Sequence, residues 1–595
     1  MEKNVVILDI DYVTYENKPV IRLFSKDKDK NIVLLDDTFE PYLYVAPKDD
    51  VKECQKQILD TLEDVYIEEV IKKDFQVEKT FLKVTFLNPQ ELAKHRDALR
   101  DLDSVDHIRE HDIPFYRRYL IDRDVIPMTE VKACGEKIDS FLNLDSKKHD
   151  LEIIKLTKPL ERVNDDLQDF RILSFDLEVR NPHGMPNSEV DEIIMIGVAS
   201  NFGINQVIST KTNSEDRDDF VNQVESEKEM IETFIDIVKK SNVDIIVGYN
   251  SDNFDLPYLK DRAKLYGLEL DLGMDDSNIK FIRRGFANAA SFKGLIHVDL
   301  YLVMRRYMTL ERYTLERVYY ELFGEEKIDV PGEHIWEYWD SDSTELDDLF
   351  DYSLDDVVST LKIAQQTLPL NLELTRIVGQ PLFDLSRMAT GQQAEWFLVK
   401  EAYFDNEVVP NKPGGSNFAL RAAEEDNEGG YVKEPEIGLH ENLVQFDFRS
   451  LYPSIIISKN ISPDVLVIGD VENRQDYNIS PEHDLKFKKE PKGFIPSVIA
   501  KILNERFKIK KAMKASVDPT EKKTLDVQQQ AIKRLANTMY GIYGFPRFRW
   551  YSYECAKAIT SWGRQYIKRA MKKAEDYGFY AIYADTDGFY AKYKK

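Results

Sequence analysis

Residues 443–456 read LVQFDFRSLYPSII. An apolar run of strand character ends on an acid, Asp447, and turns within a few residues into an apolar helical run. Pro453 has a fixed φ suited to the first turn of that helix. The N–H groups and dipole at such a helix start attract phosphate, so the stretch can hold a triphosphate with Tyr452 beneath its sugar.

Working outward, residues 579–593 (FYAIYADTDGFYAKY) alternate apolar residues around Asp585-Thr586-Asp587-Gly588, which predicts a hairpin with acids at its tip. D-x-D alone is cheap in this chain, since 9/11, 101/103 and 340/342 also match; the tight turn between apolar strands distinguishes this copy. If the tip approaches Asp447, two carboxylates can bind two divalent ions, one lowering the pKa of a primer 3′-hydroxyl and one holding pyrophosphate. Hard oxygen ligands favour Mg²⁺ or Mn²⁺ over zinc. Between these motifs, two long helical patterns span 495–545, separated by Ser516-Val517-Asp518-Pro519. In the second, Lys533, Asn537 and Tyr540 form one stripe; in the first, Arg506 and Lys510 stand one turn apart. Packed antiparallel, the helices offer three cations to phosphates, although each stripe alone also reads as a solvated amphipathic face.

A second set of acids lies upstream. In RILSFDLEV (171–179), Leu173, Phe175, Leu177 and Val179 alternate with Ser174, Asp176 and Glu178. Two carboxylates on one strand face raise each other's pKa unless a cation lies between them. In VDIIVGYNSDNFDLPYL (243–259) a strand ends in a loop, and Asp255 follows at a helix start, where Asp252 or Asp255 can also serve as a cap. In FDYSLDDVVSTLKIA (350–364), Tyr352 and Asp356 share a helix face. Together these four carboxylates and one phenol can surround two metals and aim a water at a phosphodiester.

The chain has 595 residues, enough for several domains, and 81 Lys/Arg against 107 Asp/Glu give a net charge of −26. That charge argues against a protein that coats nucleic acid or anionic membrane with its whole surface. Residues 501–580, however, carry 18 Lys/Arg against 7 Asp/Glu, a local +11 suited to phosphate. Three scattered cysteines, Cys54, Cys134 and Cys555, supply neither a disulfide framework nor a zinc site and favour a reducing, cytoplasmic setting. The opening stretch MEKNVVILDIDYVTYE places acids where a signal peptide needs an uninterrupted apolar run, and no run of about 18 apolar residues occurs in the sequence.

The motifs, in this order, resemble those of a family B DNA polymerase, most closely the archaeal replicative type. SFDLEV, GYNSDNFDLPYL and YSLDD are similar to the family's three proofreading exonuclease motifs; DFRSLYPSII, KRLANTMYG and YADTDG are similar to its polymerase motifs A, B and C. The segment QPLFDLSRMATGQQAEWFLVKEAY resembles the family's stretch between the two active sites. The resemblance implies an α+β multidomain chain: an N-terminal domain at 1–165 with 368–412 packing back on it, an RNase H-like 3′→5′ exonuclease at 166–367, palm at 413–493, helical fingers at 494–545 and further palm at 546–595. It implies Asp176, Glu178, Asp255 and Asp356 as exonuclease metal ligands and Tyr352 as the residue orienting the attacking water. Asp447 and Asp587 become polymerase ligands, with Asp585 nearby and two Mg²⁺ or Mn²⁺ ions per site. Tyr452 becomes the steric gate against a 2′-hydroxyl, while Arg506, Lys510, Lys533, Asn537 and Tyr540 meet the incoming dNTP. Tyr12, Pro41, Tyr42 and Arg118 fall where archaeal members bind template uracil, with Leu92 in place of a smaller pocket residue.

The sequence departs from the family pattern in three ways. Asn427 stands where the family has a Tyr two residues before Gly429-Gly430, and the cysteine pairs of some heat-loving relatives are absent. Lys595 follows directly on the motif C hairpin, where relatives continue for about a domain's length. The expectation is the large polypeptide of a split polymerase. A small second chain would supply the thumb and the sliding-clamp contact, on primer–template DNA at the nucleoid. An exonuclease without synthesis, a catalytically silent DNA-binding assembly subunit and an artificial truncation are the alternatives.

Overall fold

A computed structural model describes residues 1–595 apart from 29, 165, 214–219, 276, 285–286, 342–343, 425–427 and 594–595. Asn427 and parts of the acidic stretches 211–228, 340–351 and 422–429 therefore lie outside the described residues. The chain divides into two compact units, one of residues 1–39 and 116–389, the other of residues 40–115 and 390–595.

The first unit opens with strands Glu2–Tyr15, Lys18–Asp27 and Lys30–Asp36, joined by Leu151–Leu156 and Glu130–Ile138. Because Glu130–Ile138 also pairs with Glu2–Tyr15, these five strands close on themselves. Beside them is a six-stranded sheet in the order Val221–Gln223, Asn205–Ser209, Ile193–Ser200, Ile172–Val179, Ile245–Gly248, Ile296–Asp299. Ile172–Val179 sits inside this sheet, antiparallel to Ile193–Ser200 and parallel to Ile245–Gly248. Its residues Leu173, Phe175, Leu177 and Val179 pack into an apolar cluster with Phe234 and Leu256, as their alternation predicts. The opposite face takes the 35-residue helix Thr344–Val378, onto which Ser174 Oγ donates at the Val357 carbonyl, 2.7 Å away. Gly197 permits that approach, since a Cβ there would stand 3.0 Å from the Ser353 carbonyl oxygen.

The second unit contains a four-stranded sheet in the order Tyr66–Asp74, Val77–Thr85, Tyr42–Pro47, Val105–Arg109, with helices Val51–Thr61 and Pro89–Arg100. A second four-stranded sheet runs Val432–Lys433, Phe579–Asp585, Gly588–Tyr593, Leu443–Asp447. Helix Tyr553–Asp576 packs on it through Ile567 and Met571, beside the stacked Phe446 and Phe589 rings, whose centroids are 5.0 Å apart. Helices Phe494–Ala515 and Pro519–Tyr543 form the expected antiparallel pair, turning at 516–518. Asp518 caps the second helix, accepting from the Thr520 N–H at 2.9 Å. Cys54, Cys134 and Cys555 are free and buried. Among the described residues, no helix is long and apolar enough to cross a membrane.

Candidate active sites

In the second unit, the predicted hairpin forms and carries its acids to Asp447. Asp447 pairs in register with Gly588, which follows Asp587, and the Phe448 N–H donates to the Asp587 carbonyl at 2.8 Å. Burial, with Asp447 beside it, pushes the Asp587 carboxyl above the ordinary aspartate range. Thr586 holds the tip in the left-handed region at φ 54°. Its N–H donates to the Tyr431 carbonyl at 2.9 Å, and Gly430 lies so close that a Cβ would be 2.6 Å from Thr586 Oγ1. A cavity of about 410 Å³ opens over the tip. It is lined by Asp447, Asp587, Tyr452, Arg506, Lys510, Lys533 and Asn537, all singled out from the sequence. Asp585 and Tyr540 do not line it. Asp585 takes the Thr586 hydroxyl at 2.9 Å, and the Tyr540 ring lies beside Tyr452 at a centroid distance of 4.2 Å.

The cations around this cavity are crowded. Arg506 is buried and donates to Gln529 Oε1 at 3.1 and 3.2 Å across the helix pair. Desolvation, then Arg506 and Arg449, lowers the Lys510 pKa. An anionic ligand relieves such crowding. Arg449, which sequence reading missed, also lines the cavity, with its guanidinium 4.5 Å from the Phe507 ring centroid. It lies inside the quoted 443–456 stretch, two residues after Asp447, where its position could have flagged it.

In the first unit, one carboxylate oxygen each from Asp176, Glu178 and Asp356 lies within 4.8 Å of the others. Burial, and then the neighbouring carboxylates, holds Asp176 and Glu178 well above their usual range. Asp255, the first residue of helix Asp255–Leu265, is outside that trio but adds to its repulsion; burial pushes its own carboxyl to about 7. Asp356 is raised to about 6 by burial, opposed by Lys327. Tyr352 hydrogen-bonds Asp356, and burial drives its phenol pKa upward. Glu178 Oε1 is buried with no hydrogen-bond partner among the described residues. Converging oxygens, mutual repulsion and an orphaned carboxylate oxygen fit a hard divalent cation.

Lys327 is the functional candidate that sequence reading missed in this unit. Its side chain, only 1% exposed, ion-pairs with Asp356 and lies 4.8 Å from the Tyr352 ring centroid. In the charged run GEEKIDV it looks like one more solvated lysine, and only the fold turns it inward.

Behind Asp255, the loop is clamped by a buried network. Arg387 binds Asp252 bidentately, at 2.9 and 3.0 Å, and donates to the His297 carbonyl at 3.0 Å. Asp252 thus serves the loop from behind, taking the Ala290 N–H at 2.8 Å, rather than capping the helix that follows.

The residues matched to template-uracil binding are divided between the units. Tyr12 is half-buried in strand Glu2–Tyr15, and Arg118 is buried with Asp122 3.9 Å away. Pro41 accepts from the Phe86 N–H at 2.8 Å. Tyr42 is buried edge-on against Tyr44 beneath Lys83, and Leu92 packs on the core of that sheet.

Comparison with known proteins matches both halves of the chain. The model of DNA polymerase family B matches residues 386–594, and that of the family's exonuclease domain matches residues 106–318. The DNA polymerase of Thermococcus gorgonarius is 41% identical over 593 residues, covering 98% of this chain and 71% of the relative. DNA polymerase 1 of Pyrococcus abyssi is likewise 41% identical, with the same coverage. The structure of the family B DNA polymerase from the hyperthermophilic archaeon Pyrobaculum calidifontis superposes with a TM-score of 0.85 at 30% identity, covering 100% of this chain and 75% of that one. With an acidic hairpin tip beside Asp447, a second set of carboxylates converging from Asp176, Glu178 and Asp356, and relatives matched along nearly its whole length, this chain belongs to the archaeal DNA polymerases of family B.

Proposed function

We propose the following division of labour for template-directed DNA synthesis and 3′→5′ proofreading. Asp447 and Asp587 hold two Mg²⁺ or Mn²⁺ ions, with Asp585 steadying the turn. Asp176, Glu178, Asp255 and Asp356 hold two more. When bound, such ions lower the pKa of the attacking hydroxyl or water and neutralise charge on the leaving group. Arg506, Lys510 and Lys533 grip the dNTP phosphates, Asn537 adds an amide contact, and Tyr452, backed by Tyr540, stacks under deoxyribose and rejects a 2′-hydroxyl. In proofreading, Tyr352 positions the water and Lys327 balances Asp356. Tyr12, Pro41, Tyr42 and Arg118 receive template uracil, a flat base lacking the thymine methyl.

The observation carrying the synthetic reading is the shared cavity, where two carboxylates and four cationic side chains (Arg449, Arg506, Lys510 and Lys533) meet around Tyr452. Asp587→Asn should cut primer extension by well over about a hundredfold, since even groups behind metal ligands are worth 10–100-fold. Degradation of single-stranded DNA should remain. Equal loss of both activities would count against two separate sites.

We also propose that a small second polypeptide supplies a thumb and the sliding-clamp contact, and that the assembly works on chromosomal DNA in the cytoplasm. The relatives run longer than this chain, which spans 71% of their length. Leu443, Val444, Tyr590 and Tyr593 of the hairpin sheet are exposed apolar side chains. The segment boundaries at 165, 367, 412, 493 and 545 are proposed on the same family resemblance. Primer extension should rise sharply when the co-purifying partner is added back; full processivity of the isolated chain would overturn the second-chain proposal.

A further inference from the structure

Gly563 lies in the middle of helix Tyr553–Asp576 and is buried. Glycine inside a helix is destabilising relative to alanine, so a packing reason is expected. The reason is the Tyr452 ring. A Cβ at Gly563 would stand 2.9 Å from Tyr452 Cε1 and 3.7 Å from its Cδ1, while the next neighbour, Leu451 Cδ2, is 3.9 Å away. The first distance is below van der Waals contact and falls on an aromatic ring, which cannot yield at one atom alone. The ring also packs on Tyr540, tilted by 35° at 4.2 Å between centroids. Tyr452 lines the cavity over Asp447 and Asp587, whereas Gly563 and Tyr540 do not. The glycine and the second tyrosine therefore form the backing of the ring, and any bulk added at Gly563 acts on it from behind.

We propose that Gly563 is a positioning residue for sugar selection: its missing side chain sets how far the Tyr452 ring projects into the nucleotide cavity. The inference rests on the reading of Tyr452 as the sugar gate. Alanine at this position pushes the ring off the helix into the space of the incoming sugar. The consequence is a penalty in nucleotide binding and not in the chemistry of the acids, which lie on other elements.

The test is a double-mutant cycle in the complete polymerase, with kcat and KM measured for dATP and ATP. Gly563→Ala should raise the dATP KM about tenfold with little change in kcat, a coupling of the size found between residues in contact. In the Tyr452→Ala background the same substitution should have no effect on KM, because the atom it strikes is gone. A penalty that persists undiminished there, or a wild-type KM in the single variant, overturns the proposal. Should Gly563→Ala alone fail to fold, adding Tyr452→Ala is expected to restore a normal thermal melt; failure to restore it is equally adverse. The gate reading has its own arm. Tyr452→Ala alone should increase ATP incorporation, and no increase would overturn the gate and the sugar role of Gly563 with it, while leaving any measured coupling intact.

Discussion

Lys327 holds a buried positive charge beside three carboxylates, Asp176, Glu178 and Asp356, and the Tyr352 phenol. Truncating one partner of a buried charge pair leaves the other uncompensated. Lys327→Met should therefore lower exonuclease activity by about 10–100-fold, the range seen when groups behind metal ligands are lost. Extension of a matched primer should be unchanged, and gel assays of both activities on one preparation check this. Asp176→Ala removes a member of the trio itself, so hydrolysis of single-stranded DNA should disappear on the same gels while synthesis continues. At this scale the sequence was informative where a residue sat in a patterned stretch. Asp176 and Glu178 alternate with buried apolar neighbours, a weak signal alone that gains weight from the other motifs in order. Lys327 was hidden because no local periodicity distinguishes an inward lysine from an outward one.

At the scale of elements, the loop after strand Ile245–Gly248 is held by charge. Burial works against ionisation of Asp252, but the His297 ring and the Arg387 guanidinium overcome it and hold the carboxyl well below the usual carboxylate range. A group depressed on folding contributes stability that is present above its unfolded pKa, about 3.9, and lost as pH falls through the folded value. Acid melts of the wild-type protein should therefore weaken below about pH 4. Asp252→Asn should flatten that limb and cost about 3–5 kcal/mol at neutral pH, because Arg387 is left buried and unpaired. Circular dichroism melts at several pH values decide it. The hairpin at Phe579–Tyr593 depends on packing instead. Phe589, 4% exposed, stacks on Phe446, so Phe589→Ala should cost about 3–5 kcal/mol and abolish synthesis before proofreading. Hairpin, strand and paired helices were legible because alternation, a tight turn and Pro519 are local signals. Contacts such as Arg387 on Asp252 join residues 135 apart in sequence, beyond any periodicity.

For the whole molecule, an acidic chain carries a basic stretch, three of whose cations, Arg506, Lys510 and Lys533, line the cavity over Asp447 and Asp587. Binding to primer–template should fall steeply with salt, log K dropping by about 0.9 per tenfold rise in salt for each phosphate contacted on duplex DNA. Anisotropy titrations at several salt concentrations measure that slope, and a flat response would contradict a phosphate-gripping surface. Composition showed this unevenness but not the division into two compact units. That division interleaves the chain, with residues 40–115 joining residues 390–595. Nothing local in the sequence marks it, because it is set by which surfaces find each other after collapse.

The interleaving has a consequence for how the molecule is made. Residues 40–115 leave the ribosome early and carry an apolar cluster of their own, including Leu43, Val45, Ile58, Leu82 and Phe86. The rest of their unit begins at residue 390, so 274 residues (116–389) must be translated in between. At about 5–20 residues per second, the early sheet waits for tens of seconds while the proofreading half completes itself. Nascent chains stalled far enough on for residue 389 to have cleared the ribosome should already digest DNA, before any of them can extend a primer.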